Sequence, residues 1–453
     1  MEDILKEVCK RIQSKEDEIV ADVIRLCRQP SISVQGIGIE ETADMLIDSL
    51  KGIGARVERI DFGNGYPIIY GEIMGNSDKT LLFYNHYDVQ PPDPIDEWVS
   101  PPFEPCVSDG KIYGRGTSDN KGDLIARIHA IKAFLEVNGS LPVNVKFLIE
   151  GEEEIGSPHL AQLVKEKGDL LKADGCIWEG GGRGADERIE ISLGCKGISY
   201  AELEVTTAQN DLHSSNGTIV ANPIWRLIWA LSTLKNEEEE ILIEGFYDDV
   251  KELGPRELAT FDELTVDDLR LQESLGVKGF LIGLSGKELM KRHLLSPTCT
   301  ICGFISGYTG EGAKTVLPNK ARAKVDFRLV PNQDPEDISK TVEKHLQKNG
   351  FSDVKVTWAH GQHPYRAPLD SQIVKAARWA SHQVYNANPS ILLMTPGTGP
   401  MYELSGKLGL PTVALGVGHA GSAMHGPNEN IRINDLILGT EMIAVLMAKF
   451  QRI

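Results

Sequence analysis

Apolar positions along the chain recur in two rhythms. "KTLLFYN" (79–85) and "PVNVKFLIEG" (142–151) are short, compact runs rich in β-branched and aromatic residues, which predicts buried strands. Between them, "GDLIARIHAIKAFLEVNG" places apolar residues at 124, 125, 128, 131, 134 and 135 and stops at Asn138-Gly139. That spacing predicts a helix with one apolar stripe. "DGCIWEGGG" adds a further short strand that runs into a glycine cluster. Strands alternating with helices over the first 195 or so residues predict a layered α/β domain with a mainly parallel mixed sheet.

From about Lys196 the texture changes. "GISYAELEVTT" is strand-like and "NPIWRLIWALSTLK" helix-like; a long charged middle follows, then strands at "TCTICGFISG", "KARAKVDFRLVP" and "VKVTWAHG". After that, "DSQIVKAARWASHQVY", "PTVALGVG" and "NDLILGTEMIAVLMAKF" return to the earlier helix and strand patterns. The expected organisation is a first domain over 1–196 and 366–453, interrupted by an α+β insertion over 197–365. There is no internal repeat and no low-complexity linker.

Composition narrows the function classes. A chain of 453 residues, 41% apolar and 25% charged, has enough apolar residues for sizeable cores. A formal charge of −18 leaves no broad basic surface for a phosphate backbone, so the expected partner is a small molecule and not nucleic acid. No stretch reaches the roughly 18 uncharged residues of a membrane span. The charged N-terminus reads as an amphipathic helix, and seven scattered cysteines are not a disulfide framework, so a cytoplasmic location is expected. Cys299 and Cys302 form a C-x-x-C, but in a strand-like run without a second Cys pair or a nearby His it reads as structural.

The chemistry lies at the predicted strand ends. "LLFYNHYDV" ends on His86, with Asp88 two places on; Glu152, Glu153 and Glu154 follow "VKFLIEG"; Glu179 follows "GCIW"; His425 comes soon after "TVALGVG". In α/β sheets ligands bind beyond the carboxyl ends of strands, so these distant segments converge on one crevice. Asp119, in "YGRGTSDNKGD", sits among glycines that permit tight turns; the spacing is not that of a P-loop, and a carboxylate there would repel an anion. Two histidines and three carboxylates form a mixed N/O donor set suited to Zn, Mn or Co. The remaining histidines, His129, His159, His293, His345, His360, His363 and His382, read as structural, and His419 shares the loop of His425.

"NHYDV", "GRGTSDNKG", "EGEEEIGS" and "HGPNEN" resemble, in order and spacing, the metallopeptidase family of carnosine and cysteinylglycine dipeptidases, acetylornithine deacetylase, succinyl-diaminopimelate desuccinylase and aminoacylase. The resemblance implies a zinc-peptidase-like catalytic domain with an inserted lid and dimerisation domain, two divalent metal ions per subunit, and a homodimer. It implies His86, Asp119 and Glu179 on one metal and Asp119, Glu154 and His425 on the other, with Asp119 bridging. It further implies Asp88 orienting His86, Glu153 as general base, and a cis peptide after Asp119. In the insertion, His213 resembles an oxyanion-stabilising histidine supplied by the partner subunit, and Arg328 the arginine that binds the substrate carboxylate, assisted by Thr315 and Asn319. Gly399 belongs to "TPGTGPM" (395–401), which replaces the glycine-rich loop with Arg and Ser usual in the dipeptidases.

The expected activity is hydrolysis of dipeptides or short peptides through a metal-activated water, with N-acyl-amino-acid deacylation as the alternative. Glu179 suits that alternative, because in the family it resembles deacylase- or carboxypeptidase-type members carry Glu there and aminopeptidase-type members more often Asp. A non-catalytic small-molecule binding protein on the same fold is the competing class.

Overall fold

The computed structural model of the chain describes residues 2–359 and 361–453; His360 lies outside them. They divide into two compact units, the first comprising residues up to Gly194 with Arg366–Leu393 and Pro400–Ile453, the second Cys195–Tyr365 with Met394–Gly399. The sequence pattern runs the first domain without a break through 366–453. The short segment Met394–Gly399 departs from it because Thr395–Thr398 pairs in parallel with the start of the strand Gly194–Thr206, which opens the second unit.

In the first unit, ten strands of the described residues form one mixed sheet. Four of them lie side by side and parallel at its centre: Asn144–Glu150, Thr80–His86, Gly175–Trp178 and Thr412–Ala414. They are buried almost throughout, which explains why each reads as a continuous apolar run and not as an alternation. Because they are parallel, their carboxyl ends share one edge. Arg56–Ile60 and Ile68–Ile73 extend the sheet antiparallel on one side.

The helix Gly122–Asn138 departs from the expected single stripe and is buried almost all round. Glu2–Gln13, Glu16–Arg28 and Ile433–Phe450 all pack against it, so even Arg127 and His129 are taken out of water. It stops at Gly139, whose φ of 73° lets its N–H reach back to the Leu135 carbonyl at 2.9 Å. No described helix is long and apolar enough to cross a membrane.

In the second unit, Gly194–Thr206 and Lys320–Leu329 pair antiparallel from Gly197↔Leu329 to Thr206↔Lys320, flanked by Thr300–Ser306 and Lys355–Trp358. Their inward side chains, Ala201, Leu203, Val205, Ala323, Val325 and Phe327, form one core with apolar residues of the helices Pro223–Ser232 and Pro335–Lys348. The latter helix starts at Asp334, whose carboxylate accepts the Glu336 and Asp337 N–H groups. Cys299 is buried, Cys302 is exposed, and both are free thiols.

Candidate metal centre

The parallel centre of the first sheet delivers its polar residues to one edge. His86 is the last residue of its strand, Glu179 follows Trp178 directly, and Glu153 and Glu154 begin a single helical turn just past Glu150. Asp119 sits in the loop before the helix Gly122–Asn138, and the Asp119–Asn120 peptide is cis. His425 lies in the loop after Gly418–His419, with a left-handed φ of 62°.

Asp119 stands between the two imidazoles. Its Oδ1 lies 2.9 Å from His86 Nε2 and its Oδ2 3.0 Å from His425 Nε2. Glu179 completes one group of donors with His86 and Asp119, and Glu154 completes another with Asp119 and His425. His425 Nε2 is 3.3 Å from Glu154 Oε2. Two three-donor groups therefore share one carboxylate.

Asp88 holds both sides of this arrangement. His86 Nδ1–H donates to the Asp88 backbone carbonyl at 3.0 Å, while the Asp88 carboxylate lies 3.4 Å away and accepts the backbone N–H groups of Glu153 and Glu154 at 3.2 and 3.0 Å. With Nδ1 directed at that carbonyl, Nε2 is the ring nitrogen that faces Asp119. One aspartate thus positions an imidazole and the glutamate turn together.

The electrostatics of the cluster suit a cation. Burial pushes Glu179 up to about 7, and it raises Glu153 well above the carboxylate range, with neighbouring Glu179, Asp119 and Glu154 adding to the effect against His86. Hydrogen bonds to Asp119 and Glu154 raise His425 to about 10. Asp119 stays low although burial opposes its ionisation, because His425 and His86 donate to it. Crowded carboxylates facing imidazole nitrogens make an N/O donor set suited to divalent ions.

Two supporting networks escaped the sequence reading. Glu429 is fully buried and accepts the backbone N–H groups of Gly116, Ser118 and Asp119 at 2.8–2.9 Å, besides Arg115 Nη1 at 2.9 Å. Arg115 also donates to the carbonyls of Pro91 and His425. Gly116 has a φ of 85°, and a side chain there would strike Val89. The second network centres on Arg127, which donates to the Tyr84, Trp178 and Leu415 carbonyls at 2.6, 2.7 and 3.2 Å and so ties the ends of three central strands. Glu429 lay within the quoted "HGPNEN", but periodicity carries no sign of a partner so distant in the chain.

In the second unit, His213 is exposed, and its Nδ1 accepts the Ser215 N–H at 3.2 Å, which leaves the proton on Nε2. Thr315 Oγ1 is 3.4 Å from that Nε2. Arg328 is held by Asp326 at 3.2 Å and Thr398 at 2.7 Å. Asn319 donates one amide N–H to the Gln209 carbonyl and its backbone N–H to Asp211. Gly399 accepts a long contact from Cys195 Sγ, at 3.7 Å.

Other acidic and histidine groups are satisfied locally. Glu152 accepts from Tyr66 and His159, and His419 braces its own loop through Asn430 and Gly421. A further donor group, Glu18, Asp22 and His129, is neutralised by Lys15, Lys132 and Arg25.

Comparison with known proteins places these observations in a family. The sequence model described as "Peptidase family M20/M25/M40" matches residues 82–449. The human Beta-Ala-His dipeptidase is 31% identical over 99% of this chain and 93% of its own. The Cys-Gly metallodipeptidase dug1 of Schizosaccharomyces pombe is 31% identical over 95% of each chain. Among solved structures, the M20 family metallo-carboxypeptidase Sso-CP2 from Sulfolobus solfataricus superposes with a TM-score of 0.90 at 41% identity, covering 96% of this chain and 100% of that one.

Proposed function

The chain belongs to peptidase family M20/M25/M40, and from that premise we propose that it is a metal-dependent dipeptidase acting on substrates with a free carboxylate. The observation that supports this most is Asp119, with one oxygen facing His86 and the other His425. His86, Asp119 and Glu179 would hold one divalent ion, zinc, manganese or cobalt, and Asp119, Glu154 and His425 a second. When bound, such ions lower the pKa of a water and polarise a scissile carbonyl.

The chain's own residues supply the remaining steps. Glu153 takes a proton from the attacking water and passes it to the leaving amine; its burial keeps its basicity high enough for that exchange. His213 donates its Nε2–H to the developing oxyanion, and the Ser215 N–H fixes the tautomer this requires. Arg328, oriented by Asp326 and Thr398, binds the substrate carboxylate through its remaining donors. Thr315 steadies His213, and Asn319 ties the two-stranded ribbon that carries it to Asp211.

The working form in this reading is a homodimer in which His213 serves the partner's site. The strand Thr300–Ser306 supports an interface on the second unit, because it is an edge strand with exposed Ile301, Phe304 and Ile305.

The test is amine release by protein reloaded with zinc or manganese, from free dipeptides, N-blocked peptides and N-acetyl or N-succinyl amino acids, against a chelated control. Fastest cleavage of free dipeptides supports the proposal. Fastest cleavage of N-blocked peptides would move the activity to the carboxypeptidase type of Sso-CP2, and preference for acylated amino acids to the deacylases.

A further inference from the structure

The second unit contains a cavity of about 340 Å³ with Arg328 in its wall, within the usual range for small-ligand pockets. Ile241, Phe280 and Leu284 contribute apolar wall. The charged side chains that line it are Lys196, Lys235, Arg292 and Arg328 against one carboxylate, Glu239. Glu239 is already paired with Lys235, and Arg292 donates to its backbone carbonyl at 3.0 Å. The cavity therefore carries an excess of positive charge.

Lys196 is the unusual member. It is 2% exposed, and its ammonium donates to the carbonyls of His293 and Ser296 at 2.8 and 2.6 Å, closing the end of the helix Gly286–Leu295. Among the described residues its third N–H has no acceptor, and no carboxylate pairs with it. Burial and the nearby charge of Arg328 push its pKa down to about 8. A buried ammonium satisfied only by neutral carbonyls is held at an electrostatic penalty that an arriving anion relieves.

We propose that this cavity receives the C-terminal residue of the substrate and that Lys196 binds a carboxylate on its side chain, so that peptides ending in aspartate or glutamate are preferred. The inference rests on the reading above, in which Arg328 takes the α-carboxylate. Two cations of the cavity wall, close enough to influence one another, then match the two carboxylates of an acidic C-terminal residue. An apolar C-terminal side chain would suit the walls but leave Lys196 without a counter-charge.

The experiment compares kcat/KM of the metal-loaded wild-type enzyme for Ala-Glu, Ala-Gln and Ala-Leu, which share a first residue and an α-carboxylate. Ala-Glu is expected to exceed each of the others roughly tenfold or more, the scale of one buried charge contact. In Lys196→Met the ratio of Ala-Glu to Ala-Gln should fall toward one. A second readout avoids turnover selectivity: glutarate should inhibit the wild type roughly tenfold more tightly than butyrate, and Lys196→Met should erase that difference. Should the variant fail to fold, the wild-type comparisons decide alone. Equal or faster cleavage of Ala-Gln or Ala-Leu by the wild type overturns the inference and leaves the dipeptidase reading standing. Cleavage of none of the three overturns both.

Discussion

Glu429 accepts the backbone N–H of Asp119 at 2.9 Å across 310 residues of sequence. The carboxylate that stands between the two imidazoles is thus held by a second carboxylate that touches neither. Glu429 also takes the Ser118 and Gly116 N–H groups and Arg115, so one buried side chain fixes the backbone path of the whole loop.

Replacing Glu429 with Gln removes acceptor capacity while keeping shape, and leaves Arg115 buried beside an amide. Metal affinity should fall roughly 10–100-fold, the range for losing a group that orients a ligand. Metal titration of the purified variant checks this, with circular dichroism confirming the fold. Wild-type affinity would mean that the loop keeps its form without Glu429.

Glu153→Ala removes the proposed proton carrier without touching either three-donor group. Turnover should drop by about 10²-fold or more with metal content unchanged. Near-normal kcat in a fully loaded variant would remove Glu153 from the reaction.

His213→Ala and Glu153→Ala are each expected to be weakly active alone. If His213 serves the partner's site, mixing them creates heterodimers with one intact site, and random assortment should recover about a quarter of wild-type activity. Absence of recovery despite demonstrated subunit exchange would put His213 in its own subunit's site.

Arg127→Met strips the carbonyls of Tyr84, Trp178 and Leu415 of a shared buried donor. The loss should be about 3–5 kcal/mol of stability, seen as a lower denaturation midpoint. A variant of unchanged stability would show that the strand ends hold themselves in place.

Glu190 supplies a pH test away from the metal centre. Burial first, then neighbouring Asp186, raise its pKa from the usual value to about 7. Its folded-state pKa lies above the unfolded one, so its contribution is full below about 4.5 and is lost as pH rises through about 7. Glu190→Gln should therefore be more stable than wild type at pH 8, by about 1–3 kcal/mol, and hold no such advantage at pH 4. Denaturant midpoints at the two pH values check the sign; an equal difference at both would rule out titration of Glu190.

The sequence made the strand-end residues visible because each follows a short apolar run, and parallel strands bring their ends to one edge. His86, Glu154, Glu179 and His425 could be found that way. Glu429, Arg115 and Arg127 could not, since a charged residue buried by long-range hydrogen bonds has the same local pattern as one in water. Asp88 shows a subtler limit: its proximity to His86 was legible, but the division of labour between its carbonyl and its carboxylate depends on backbone geometry.

The central strand Thr412–Ala414 lies beside Gly175–Trp178, and the loop of Asp119 is fastened by a side chain beyond it. Synthesis from the N-terminus therefore produces His86, Asp119, Glu154 and Glu179 long before the strand and the carboxylate that set their spacing. A ribosome-bound chain halted near residue 400 would own four of the five donors but no finished cage. Binding of an ion by the complete five-donor set would then belong to the released chain.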